Sequence, residues 1–115
     1  MRPMFLEFAN DVAVFDLASQ FMFGDNILYS AKLNPPKDSY WQVDTFLPSS
    51  SEWYNYNTDM LESRSGAIHD SLSDLQQAIW IRAGSIVPIL AHNNELSLLR
   101  ALENDISLDV FLSSN

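Results

Sequence analysis

Ala78-Ile79-Trp80-Ile81-Arg82-Ala83-Gly84-Ser85-Ile86-Val87-Pro88-Ile89-Leu90 is the stretch on which the fold turns. It is apolar along nearly its whole length, with Ala83-Gly84-Ser85 breaking it in the middle. A breaker inside an apolar run gives two short strands, or one strand with a bulge. Gly84 is the residue that permits a positive φ at that break. Further out, Trp41, Val43, Thr45 and Leu47 alternate with Gln42 and Asp44, the period of a half-buried strand. Ile106, Leu108, Val110 and Leu112 alternate in the same way near the other end. Trp53 to Thr58 reads as an aromatic-rich strand and Ile27 to Leu33 as another, each bounded by turn residues.

The remaining segments are shorter. Pro3 to Phe8 is an apolar run too brief for a helix and reads as a buried strand. Asp11 to Gln20 holds one or two helical turns, with Asp11 or Asp16 as cap. Gly24-Asp25-Asn26 is a turn triplet, and Asn34-Pro35-Pro36-Lys37-Asp38 a loop. Asp59 to Asp74 is polar without a clear period and reads as an irregular excursion. Glu95 to Glu103 is assigned a helical turn ahead of the last strand. That strand ends without a partner in the reading, which suggests a piece cut from something longer. Several short strands punctuated by turns make a mainly β chain, an antiparallel β-sandwich.

Length and charge exclude several functions. At 115 residues the chain suits one small domain. Its six Lys and Arg against fifteen Asp and Glu give a net charge of −9. No basic face exists for nucleic acid or for an anionic membrane surface. No apolar run approaches the roughly 20 residues of a membrane-spanning helix. With no cysteine there is no disulfide, thiolate nucleophile or zinc-thiolate site.

Local chemistry is sparse. A glycosidase needs two carboxylates about 5–10 Å apart across a sugar, and no pair announces itself. Asp16 and Asp25 flank a turn and read as capping or turn residues. His69 and His92 lack metal-ligand spacing. Ser50 and Ser51 lack the glycines of a nucleophile elbow, and Lys32 and Arg64 read as solvated charges. Trp41, Trp53, Tyr54 and Tyr56 are candidates for stacking on sugar rings, with core packing as the competing reading. Arg82 and Gly84 are assigned structural roles.

Four segments, in order, resemble one family. Arg2-Pro3-Met4-Phe5-Leu6-Glu7-Phe8 resembles the "RP-apolar-apolar-x-EF" strand of glycoside hydrolase family 31, the α-glucosidase family. Phe15-Asp16-Leu17-Ala18-Ser19-Gln20-Phe21-Met22-Phe23-Gly24-Asp25-Asn26-Ile27-Leu28 is similar to the "YDIDxQFxxGxxLL" segment that follows it. Phe46-Leu47-Pro48 and Glu52-Trp53-Tyr54-Asn55-Tyr56-Asn57-Thr58 resemble "YLP" and "WYDYxTG". Ile79 to Pro88 resembles "VFVRAGSIIP". The chain departs from "LLVAPV" at Ile27-Leu28-Tyr29-Ser30-Ala31-Lys32, which lacks the proline and ends on lysine.

The resemblance implies that residues 1–23 are the last strand and a short helix of a (β/α)8 catalytic barrel. It implies that residues 24–115 form the proximal C-terminal β-sandwich domain, truncated at its end. The family's two catalytic aspartate motifs do not occur here, so no catalytic, cofactor-binding or metal-binding residue is assigned and no cofactor is expected. The implied partner is the catalytic barrel of a parent chain, with α-glucoside substrate met only through that parent. A standalone carbohydrate-binding sandwich is the alternative. Deprived of barrel neighbours, the Arg2–Phe8 strand should disorder, fold back, or pair with a second copy through residues 1–10; the third outcome is the expectation.

Overall fold

The computed structural model describes residues 1–90 and 106–113. Ten strands, one α-helical turn and one 3-10 turn make up these residues. In chain order they are β1 (Arg2–Pro3), α1 (Met4–Glu7), the 3-10 turn Val12–Val14, β2 (Gln20–Phe23), β3 (Ile27–Ser30), β4 (Trp41–Leu47) and β5 (Trp53–Asn55). Then come β6 (Met60–Glu62), β7 (Gly66–Leu72), β8 (Ala78–Arg82), β9 (Ser85–Leu90) and β10 (Ile106–Phe111). A six-stranded antiparallel sheet has the order β1-β2-β3-β8-β5-β6, and two further pairs are β4·β7 and β9·β10. The architecture is mainly β and antiparallel throughout.

Alternation along the strands puts one row of side chains inside. Met22, Leu28 and Trp80 lie in register across β2, β3 and β8, and all are buried. They meet Leu47 from β4 and Ile68 from β7, with Trp53 alongside. Two buried polar links tie the layers. Gln20 binds the Phe46 backbone twice, donating from Nε2 to its carbonyl at 2.8 Å and accepting from its N–H at 2.7 Å. Thr45 Oγ1 donates to Ser30 Oγ at 2.8 Å.

The N-terminal reading is corrected. Only Arg2–Pro3 is extended; Met4–Glu7 makes one helical turn, closed by the Phe8 N–H to the Met4 carbonyl at 2.9 Å. The i, i+4 spacing sends Met4 and Phe8 together into the core while Phe5 and Leu6 stay exposed. A straight strand would have put Leu6 on the same face as Met4 and Phe8; the helical turn buries those two and leaves Leu6 in solvent. The segment therefore folds back onto its own sandwich through half of its apolar side chains.

A second correction concerns the stretch from Asp59 to Asp74, which holds β6 and β7. β7 is the seven-residue partner of β4, paired from Trp41↔Leu72 to Leu47↔Gly66. The broken run Ala78–Leu90 is two strands joined at Ala83–Gly84, and Gly84 has φ +82°. β10, read as lacking a partner, pairs with β9 from Ile106↔Leu90 to Phe111↔Ser85. Asp11 caps the 3-10 turn, its carboxylate accepting from the Ala13 N–H at 3.1 Å. The β2–β3 hairpin straddles the division expected between residues 23 and 24. The helical turn expected at Glu95 to Glu103 lies outside the described residues.

Candidate functional site

The aromatic candidates do not converge. Trp53 and Tyr54 are neighbours in β5, so alternation turns their rings to opposite faces of the sheet. Trp53 is 2% exposed, its Nε1 donates to the Pro48 carbonyl at 3.1 Å, and Phe8 and Arg82 lie against its ring. A ring closed off in this way offers no face to a sugar, which removes Trp53 from the stacking set. Tyr54 donates its hydroxyl to the Leu112 carbonyl at 2.8 Å and packs on Phe111 at 5.3 Å between centroids. Trp41 lies in a different sheet, with its Nε1 donating to Asp74 at 2.7 Å and Lys32 Nζ 5.6 Å above its ring. Tyr56 alone of the four is exposed. With Trp53 buried, Trp41 in another sheet and the Tyr54 ring packed on Phe111, the four do not form one platform.

Lys32 is a clamp rather than a solvated charge. Its Nζ donates to the carbonyls of Ser73 at 3.0 Å and Asp74 at 3.2 Å, pinning the turn between β7 and β8. Arg64 does stay in solvent, against Glu62 through Nε at 3.0 Å and Nη2 at 3.3 Å. That guanidinium holds the Glu62 carboxyl below the usual carboxylate range.

Arg82 anchors the N-terminal segment. Its Nη1 donates to Glu7 at 3.1 Å, and its guanidinium stacks over Phe8 and Trp53 at 5.1 and 5.5 Å. Glu7 also takes Arg2 at 2.9 Å, and Arg2 in turn reaches Asp25 and the Gly24 carbonyl. This Arg82–Glu7–Arg2–Asp25 chain was invisible in the sequence, because the bonded pair Arg82–Glu7 is 75 residues apart. Asp25 is thus occupied by an arginine, and Asp16 is exposed at a turn. Asp44 pairs with His69 across β4 and β7, on the solvent side. Among the described residues no group of three or more acidic or histidine side chains could hold a metal ion. His92 lies outside the described residues.

One carboxylate is out of place. Asp70 falls on the inward row of β7 opposite Val43, and burial pushes its carboxyl above the usual carboxylate range. Glu62 adds to that rise and Arg64 opposes it. The folded state therefore holds this proton more tightly than the unfolded chain. Its contribution to stability is complete below the unfolded carboxylate pKa and is lost as pH rises through the folded value. Asp70→Asn is expected to raise Tm by a few degrees at pH 7 and to leave it unchanged at pH near 3. Thermal melts followed by circular dichroism at both pH values check this; equal melts at pH 7 contradict it.

Taken together these features define a β-domain whose polar groups serve to hold its own segments in place. The family model of the glycosyl hydrolase family 31 C-terminal domain matches residues 1–87, and the chain belongs to that family. An alpha-xylosidase of Saccharolobus solfataricus is 34% identical over 81% of this chain and 12% of its own length. Neutral alpha-glucosidase C of Homo sapiens is 30% identical over 77% of this chain and 10% of its own. A Flavobacterium johnsoniae dextranase structure superposes with a TM-score of 0.79 at 22% identity, covering 99% of this chain and 13% of that one. A Xanthomonas citri alpha-xylosidase gives 0.78 at 23%, covering 97% and 12%. The chain thus spans about a tenth of the length of the relatives it matches.

Proposed function

We propose that the chain is a structural accessory domain of an α-glucosidase-like glycoside hydrolase, bracing a catalytic barrel and carrying no catalysis itself. The observation that carries this reading is the set of apolar side chains left in solvent at the N-terminal end. Phe5, Leu6, Val12 and Phe15 are all exposed, next to a segment locked in place by the Arg82–Glu7–Arg2 chain. Exposed apolar patches of this kind mark contact surfaces, and a rigid anchor behind one is what a brace requires. Residues 1–23 supply the contact in this reading, and residues 24–115 the supporting sandwich. Parent substrates are α-linked glycosides, by similarity to relatives named alpha-xylosidase and alpha-glucosidase.

The carbohydrate-binding alternative is weaker. Trp53 is in the core, Trp41 belongs to the β4·β7 pair rather than to the sheet of Tyr54 and Tyr56, and the Tyr54 ring is packed on Phe111. Glycoside hydrolysis by the chain alone, compared with hydrolysis by the same chain behind a family 31 barrel, is the experiment that tests the accessory reading.

A further inference from the structure

Among the described residues the three sheets leave six open edges, on β1, β6, β4, β7, β9 and β10. An open edge is a row of unpaired backbone groups, and most of these are blunted. β1 and β6 are only two and three residues long, and β1 contains Pro3. β4 and β7 turn Gln42, Asp44, His69 and Ser71 to solvent. β9 contains Pro88, which has no N–H to donate.

β10 differs. Its residues Ile106, Leu108 and Val110 lie on one face and are 51%, 63% and 58% exposed. Their partners on β9 are Leu90, Pro88 and Ile86, so this face of the ribbon is apolar and uncharged. The pairing runs without a gap from Ile106↔Leu90 to Phe111↔Ser85. Antiparallel pairs alternate between those that exchange hydrogen bonds and those whose N–H and C=O point away from the partner strand. Pro88 has no N–H to exchange, so Pro88↔Leu108 is of the second kind. Leu108, and by alternation Ile106 and Val110, therefore hold their N–H and C=O outward along the open edge. On the other row Asp109 is half-buried, and among the described residues no cation pairs with it.

We propose that this edge of β10 accepts an extended peptide segment that alternates apolar and basic residues, adding an antiparallel third strand to the ribbon. A row of outward N–H and C=O groups is matched by another extended backbone. Residues of the incoming strand opposite Ile106, Leu108 and Val110 share their face, so these are its apolar ones. Its basic residues fall on the row of Asp109, where opposite charges across a strand pair are favourable. The net charge of −9 draws such a segment in. It opposes a second copy of β10, which would bring Asp109 close to its twin. The proposal does not rest on the accessory-domain reading and uses none of the residues assigned to the barrel contact.

Fluorescence polarisation with a labelled nine-residue peptide of alternating valine and lysine, titrated with the full chain, tests the proposal. Saturable binding is expected. Methylating the valine nitrogens, which face the edge, should weaken it at least tenfold, whereas methylating the lysine nitrogens should not. A peptide of alternating valine and glutamate should also bind at least tenfold more weakly. Hydrogen exchange locates the contact. The Leu108 and Val110 amides should exchange fast in the free chain and at least tenfold more slowly with peptide, while the Asp109 amide, turned towards β9, is slow in both. Leu108→Pro removes an outward donor without touching the β9 pairing and should abolish binding, and Asp109→Asn should weaken it severalfold, each with native circular dichroism. Absence of saturable binding overturns the proposal. So does equal binding of the two methylated peptides, or binding that leaves the Leu108 and Val110 amides fast. Amides there that are already slow in the free chain overturn it as well, since the edge would then be occupied.

Discussion

Trp53→Ala is expected to cost about 3–5 kcal/mol, the range for removing a large aromatic from a packed core. Typical domains hold only about 5–15 kcal/mol of stability, so the variant should be close to unfolding near body temperature. Three contacts are lost together. The indole packs on Phe8 at 6.1 Å between ring centroids, lies under the Arg82 guanidinium at 5.5 Å, and donates to the Pro48 carbonyl at 3.1 Å. Phe8 and Arg82 are what hold the N-terminal turn to the sandwich, so its loosening should accompany the loss of stability. A Tm lowered by more than about 10 °C, with Glu7-side amides exchanging faster, is the expected readout. A Tm within two or three degrees of the parent would mean that Trp53 is not a core residue. Trp53→Phe provides a graded control, since it keeps an aromatic ring but removes the hydrogen bond and part of the buried volume.

Gly84→Val is expected to cost about 1–3 kcal/mol through backbone conformation alone. Gly84 has φ +82°, a region closed to a β-branched residue. Among the described residues space is not the obstacle, because a Cβ there would meet Ser113 Cβ at 3.7 Å, an ordinary contact. The strain falls where it matters to the fold. The Gly84 N–H donates to the Phe111 carbonyl, and the neighbouring Ala83 N–H donates to the Glu52 carbonyl at 2.8 Å. Relaxing φ to a negative value would therefore loosen the joint between β8 and the β9–β10 ribbon. Urea denaturation should show a lower midpoint with an unchanged slope. Gly84→Asn should lose less, as asparagine tolerates the left-handed region. Equal midpoints for glycine and valine contradict the assignment.

The parts of the fold legible in the sequence are those where burial and alternation coincide. β4 shows Val43, Thr45 and Leu47 inward and Gln42 and Asp44 outward, as its sequence indicates. β8 and β9 were marked by their apolar runs and by Gly84 between them. β7 was hidden because its inward row is Ile68, Asp70 and Leu72, and the aspartate spoils the alternation at its centre. The helical turn at Met4–Glu7 was hidden for a different reason. A segment of four residues carries too little periodicity to separate helix from strand, and tertiary burial of Met4 and Phe8 decides it. The site was less legible than the fold. The anchor of Arg82 on Glu7 and the bond from Lys32 to the turn before β8 join residues distant in sequence, and nothing local distinguishes such side chains from solvated ones.

Hydrolysis by the pure 115-residue chain tests the accessory-domain account most directly. The substrates are maltose, a chromogenic α-glucoside and a chromogenic α-xyloside, and the reference is a mock preparation. The account predicts no sugar release above the mock by the chain alone, since hydrolysis needs two positioned carboxylates and Asp25 is held by Arg2. It predicts measurable turnover when the chain replaces the matching segment behind the barrel of a family 31 relative. Steady release by the chain alone, abolished by Asp16→Asn or Asp25→Asn, would contradict it.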